Sequence, residues 1–149
     1  MAYVRCSSGG GTTSLKDFYR DKVLNGTFDD TITPTVQSNR IVINEGGIGV
    51  DTTSKTVYLY FDITINANMT SSNNWYTLAT LSNNLSTYLP VYTTSTKGLT
   101  CLNTDSSSDA VKSFDIGNAS SSYPRTFNGC YNNTFLTGER YYIYGSWTY

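Results

Sequence analysis

The side chains able to do acid–base or ligand chemistry are eleven carboxylates, ten cations and three thiols, with no imidazole. Without histidine there is no Ser-His or Cys-His nucleophile system and no imidazole metal ligand. Carboxylate pairs remain, and two held roughly 5 to 10 Å apart across a cleft would suit glycoside hydrolysis. The candidates are Asp29, Asp30, Glu45, Asp51, Asp62, Asp105, Asp109, Asp115 and Glu139. Adjacent on an extended segment, Asp29 and Asp30 point to opposite faces. Asp105 and Asp109 bracket three serines in a loop, where Asp normally makes turn hydrogen bonds. Oxygen-rich loops also suit hard cations, so these two are weak candidates for a calcium site with a low ligand count. Asp62 falls on the polar face of a strand, with nothing in the sequence to mark it as perturbed. No catalytic residue and no cofactor is assigned, and the chain is expected not to be an enzyme. A glycan-active depolymerase is the alternative kept open.

Cys6, Cys101 and Cys130 are odd in number and contain no C-x-x-C pair. They read as reduced thiols of a protein made in a cytosol, with a Cys101–Cys130 bridge as the alternative. Sugar recognition is the sharper binding chemistry. It uses aromatic faces against C–H patches together with Asn, Asp and Thr hydrogen bonds, and the chain has 13 tyrosines and 14 asparagines. Tyr88, Tyr92, Tyr123 and Tyr131 fall in or beside expected loops and are the ligand-binding candidates, with packing as their competing role. Trp75 and Trp147 sit in strand patterns and are expected in the core.

Ser, Thr and Asn fill 55 of the 149 positions, while charged residues make up 14% against roughly 25% in an average soluble domain. A net charge of −1 with cations dispersed along the chain gives no electrostatic footprint for nucleic acid. No apolar run approaches the ~20 residues that cross a bilayer, and the first residues lack the apolar core of a signal peptide. Five N-x-[ST] sequons, at Asn25, Asn68, Asn84, Asn118 and Asn132, are close to the about four that chance gives at this composition, and are read as noise.

These side chains must be positioned by two units, an N-terminal arm with a short helix over 1–26 and a β-rich body over 27–149. In the arm, Cys6 to Thr13 reads CSSGGGTT, a flexible linker composition. Ser14 with Asp17 is an S-x-x-D capping pattern, and Leu15, Phe18, Tyr19 and Val23 then recur on one helical face until Asn25-Gly26 stops it. About ten residues of helix are unstable alone in water. The face must dock on its own body, a sister chain or another protein.

From Thr27 the period switches to two. Val57, Leu59, Phe61, Ile63 and Ile65 face one side of a strand over 57–66, with Tyr58, Tyr60, Asp62, Thr64 and Asn66 on the other. Further strands are expected over 41–44, 47–50, 75–81, 88–93, 99–103, 111–116, 131–136 and 140–149. Short strands at 8 to 12 residue spacing indicate an all-β fold, an antiparallel β-sandwich or jelly roll. Two strands carry bulky aromatics on both faces, which requires a second layer or a subunit interface. Tyr58, Tyr60, Tyr142 and Tyr144 are the interface candidates, with burial inside one chain as the alternative.

The stretch Asn74-Trp-Tyr-Thr-Leu-Ala-Thr-Leu81, followed by Tyr88-Leu-Pro90, resembles a phrase of bacteriophage tail-fibre and receptor-binding modules. The preceding strand TVYLYFDITIN and the closing RYYIYGSWTY are similar to the strands that flank that phrase. The likeness runs in order over residues 36–149. It implies a homotrimeric β-sandwich head of a virion fibre or adhesin, made in the bacterial host and binding a host-surface glycan or protein. It departs from the phrase where Leu81-Ser82 replaces Leu-Pro. With only a short arm ahead of the body, it points to a small free-standing virion protein such as a head fibre, a capsid decoration protein or a short tail-tip adhesin. Leu15, Phe18, Tyr19 and Val23 would then anchor the chain to other virion proteins. A purely structural decoration, head-fibre or tail subunit without receptor binding is the alternative.

Overall fold

The computed structural model describes residues 13–37, 39–70, 76–88, 97–103, 112–117, 125–129 and 134–149. Helix α1 (Leu15–Asn25) begins where the capping pattern places it. The Ser14 hydroxyl accepts the Asp17 amide at 3.1 Å and donates to the Asp17 carboxylate at 2.6 Å. Gly26 ends it, donating its amide to the Lys22 carbonyl, and a Cβ there would lie 2.2 Å from that oxygen.

Nine strands follow among the described residues: β1 (Asp30–Ile32), β2 (Pro34–Val36), β3 (Ile41–Asp51), β4 (Thr56–Ile65), β5 (Tyr76–Leu81), β6 (Lys97–Asn103), β7 (Phe114–Ile116), β8 (Thr126–Gly129) and β9 (Arg140–Thr148). They form an all-β body, one nearly closed antiparallel sheet in the order β1-β3-β4-β9-β6-β7-β8-β5-β2. Its two terminal strands are neighbours in the chain, separated only by Thr33. β1 pairs with β3 and β2 with β5. Thr33 and Ser82 lock this corner, the Ser82 amide donating to the Thr33 carbonyl at 3.0 Å and the Ser82 hydroxyl accepting the Thr33 amide. The opposite corner is β6, whose residues 97–99 pair with β7 and 100–103 with β9.

Alternation on β4 holds over its full length. Val57, Leu59, Phe61, Ile63 and Ile65 are completely buried in the interior. There Phe61 meets Phe127 from the far wall at 5.3 Å, and Phe114, Phe135 and Tyr141 pack around them with centroids 5.4 to 6.3 Å apart. Aromatic pairs at these separations add roughly 0.5–1.5 kcal/mol beyond the area they bury.

Several elements differ from the sequence expectation. The stretches over 41–44 and 47–50 are one strand, because a bulge rather than a turn lies between them. Around 135 there is an isolated bridge from Met69 to Phe135 rather than a regular strand. Tyr88 closes a 3-10 turn (Asn83–Thr87), and Cys6, Cys130, Asp105, Asp109 and Trp75 lie outside the described residues.

Gly46 has φ +117°, and a Cβ on it would come within 2.0 Å of the Tyr60 carbonyl oxygen. Gly138 also has positive φ, at +93°, but faces open space. Gly46→Ala should therefore cost roughly 2–4 kcal/mol of stability and Gly138→Ala about 1 kcal/mol. Urea unfolding of the two variants measures the difference, and equal losses would remove the steric role given to Gly46.

Candidate functional site

The chemistry on this body gathers on the outer face of β3, β4 and β9. On β3 the register runs Ile43 with Ile63 and then Glu45 with Asp62, so Asn44 is the extra residue of a β-bulge. A bulge shifts the in–out phase of a strand. Ile41 lies inside before it and Ile48 and Val50 after it, while Asn44 and Glu45 both face outward. Asn44 is fixed there by its side-chain amide, which donates to Asp62 Oδ1 at 3.1 Å and Thr64 Oγ1 at 2.9 Å.

The register sets two carboxylates, Glu45 and Asp62, directly opposite each other, an arrangement that repels when uncompensated. Each has its own arginine. Arg140 on β9 donates Nε to Asp62 Oδ1 at 2.8 Å and Nη2 to Oδ2 at 2.5 Å. Arg20 on α1 donates Nε to Glu45 Oε2 at 2.8 Å and Nη2 to Oε1 at 3.1 Å. Two-point pairs of this kind fix orientation as well as charge. The Arg140 guanidinium holds Asp62 below the ordinary carboxylate value, and Arg20 does the same for Glu45. Both arginines are pushed upward in return. Burial, with the nearby Asp62 and Glu45 charges, raises the Tyr60 hydroxyl to about 12.

Around these pairs lies a pocket of about 490 Å³, walled on one side by Lys16 and Arg20 of the helix. The sheet supplies the other wall with Asn44, Glu45, Tyr60, Asp62, Arg140 and Tyr142. The Tyr60 and Tyr142 rings are nearly parallel at 6.4 Å, and the Lys16 ammonium sits 4.7 Å over Tyr142. Glycoside hydrolysis requires one carboxyl to stay protonated as the acid. Here both are held ionised, so the arrangement offers fixed hydrogen-bonding groups for a ligand rather than a proton donor.

The helix reaches this wall by docking on the sheet of its own chain. Tyr19 stacks on Tyr144 at 5.3 Å, lies 6.4 Å from Tyr58 and shares a 2.7 Å hydrogen bond with Ser146. Lys22 sits 5.0 Å over Tyr58, and Val23 packs toward Gly47. The residues expected to anchor the chain elsewhere and the tyrosines Tyr58, Tyr60, Tyr142 and Tyr144 expected at a subunit interface thus lie together in one chain. The docking face is also rotated from the expected one. Lys16, Tyr19, Arg20 and Val23 touch the sheet, whereas Leu15 is 58% exposed and Phe18 meets Tyr19 edge-on. Cations over aromatic rings replace part of the apolar contact, and an apolar pattern does not register them.

Of the loop tyrosines, Tyr88 donates its hydroxyl to Asp30 Oδ2 at 2.9 Å, packs edge-on against Tyr149 at 4.9 Å and accepts the Trp147 indole N–H on its carbonyl. These contacts tie down the end of β9. Tyr92, Tyr123 and Tyr131 lie outside the described residues. Cys101 is a free thiol pushed up to about 12 by burial, which suits packing rather than reactivity. No cluster of three or more metal-ligating side chains occurs among the described residues. Lys16, Arg20, Asn44 and Arg140 are site residues that the sequence reading passed over, although the Gly46-Gly47 pair inside a strand pattern is a bulge signal. No protein-family model, curated protein or solved structure matches the chain.

Because folding lowers the Glu45 and Asp62 values, it favours their ionised forms. Their stabilising contribution is complete above the ordinary values, 4.5 and 3.8, and is lost as pH falls through the lowered folded ones. Amide exchange over residues 15–25, corrected for its intrinsic pH dependence, should quicken below about pH 4 while β4 stays protected. In Glu45→Gln the helix should exchange faster already at neutral pH, with a smaller acid-induced change. Protection of 15–25 that is flat to pH 3 in both forms would contradict this.

Proposed function

We propose that the chain is the β-sandwich head of a small bacteriophage virion protein and binds a host-surface glycan in the pocket between α1 and the sheet. Two features support the sandwich reading of the all-β body. The halves β1-β3-β4-β9 and β7-β8-β5-β2 face each other through the Phe61–Phe127 contact, and β6 and the β1–β2 corner pass between them. The likeness of the Trp75 phrase and of the two long strands to phage receptor-binding modules supports the virion setting. So does a surface kept soluble by hydroxyls and amides. In this reading the head assembles as a homotrimer, and the arm ahead of α1 joins it to other virion proteins.

The observation that carries the binding function is the pocket itself. Its carboxylates, guanidiniums and Asn44 amide are held in place by one another before any ligand arrives, beside the half-buried Tyr142 ring. Pre-ordered polar groups lose little freedom on binding, and planar amide, carboxylate and guanidinium groups match the paired hydroxyls of a sugar.

Purified protein should bind host cells or their isolated surface glycans. Arg140→Gln should weaken that binding by about tenfold or more, as expected for removing a charged partner from a fixed network. Lys55→Gln, at the opposite end of β4, should leave it unchanged. Absence of binding across cells and glycans, with the chain still incorporated into particles, would favour a purely structural subunit. Release of reducing sugar from a host polysaccharide would instead establish an enzyme.

A further inference from the structure

We infer that the pocket selects an anionic sugar, one carrying a carboxylate or a phosphate, and that this ligand fastens helix α1 to the sheet. The inference rests on the glycan reading of the same pocket and adds the ligand's charge and its consequence for the arm.

The charge argument comes from which groups face outward. Three of the chain's ten cations converge here. Their side chains remain 25% exposed for Lys16, 43% for Arg20 and 48% for Arg140, while Asp62 is 5% exposed and Glu45 35%. Each carboxylate is closed off by a two-point arginine pair, so the groups presented to an incoming ligand are predominantly cationic. Asp17 takes one side of the Lys16 ammonium at 2.9 Å, and an ammonium has three donors. A neutral sugar would use the amide and carboxylate edges alone. An anionic one also engages cations from both walls.

The coupling argument comes from where those cations are attached. Lys16 and Arg20 are one helical turn apart on α1, and Arg140 stands on β9 across the pocket, so an anion between them draws the helix onto the sheet. The helix has freedom to respond. None of its residues is fully buried, and eleven residues are too few to remain helical when undocked. Undocking therefore removes one wall of the pocket, and by linkage a ligand that needs both walls stabilises the docked helix. Pulling on the arm should correspondingly release the ligand.

Hydrogen exchange on the full chain tests both parts, with three probes: a polyuronate fragment, a glycerol-phosphate oligomer bearing sugars, and an uncharged oligosaccharide of similar length. At least one acidic probe should bind about tenfold or more tightly than the uncharged one. It should slow exchange over residues 15–25 several-fold more than over β4, and lose affinity as salt rises. The uronate and phosphate arms tell the two anion sources apart. Lys16→Gln should weaken acidic binding while leaving β4 exchange as it was. Equal or tighter binding of the uncharged probe would overturn the charge assignment and leave the glycan reading standing. Acidic binding without added protection of 15–25 would overturn the fastening. Failure of all three probes, with host glycans also unbound, would remove both readings together.

Discussion

An eleven-residue helix does not persist alone in water, and the outer face of this sheet carries aromatic rings that a solvent-facing layer does not need. Each of these difficulties is resolved by the other. Helix α1 lies over Tyr58, Tyr60 and Tyr144, and β4 becomes a strand covered on both sides, by the Phe61–Phe127 interior and by the helix. The pocket exists because the cover is incomplete. It opens where the helix N-terminal turns pass over Glu45, Asp62 and Tyr142, leaving cations on one wall and a bulged strand on the other.

Charge in this protein is scarce and concentrated. Setting Glu45 against Asp62 is a local conflict that Arg20 and Arg140 relieve, and the relief ties three elements together: Arg140 joins β9 to β4, and Arg20 joins α1 to β3. Surface ion pairs of this exposure contribute modestly to stability, so their main effect is geometric. They hold planar polar groups at fixed angles around one cavity. The bulge at Asn44 and the positive φ of Gly46 are the backbone features without which Asn44 and Glu45 would not share a face.

Much of the architecture was legible in the sequence because it depends on short-range pattern. The alternation from Val57 to Ile65, the Ser14–Asp17 cap and the Asp51 turn are local signals. In the turn, the Asp51 carboxylate accepts the Thr53 and Ser54 amides as such clusters commonly do. The site was not legible, for physical reasons. Asp62 looked unremarkable because its partners lie 18 and 78 positions away, at Asn44 and Arg140. The helix face was misjudged because apolar periodicity counts Leu15 and Phe18 and ignores Lys16 and Arg20, whose contacts are with rings and carboxylates. The single strand β3 was divided in two because a bulge and a turn share the same glycine signal.

The central claim is that α1 docks on the tyrosine face of its own chain and so completes the pocket. Solution NMR of the full chain tests it most directly, through cross-peaks between the Tyr19 ring and Tyr144 or Ser146 and between the Val23 methyls and Gly47. The account predicts these contacts together with helical shifts over residues 15–25. Random-coil shifts there, with the β4 and β9 tyrosines in contact with no helix residue, would contradict it.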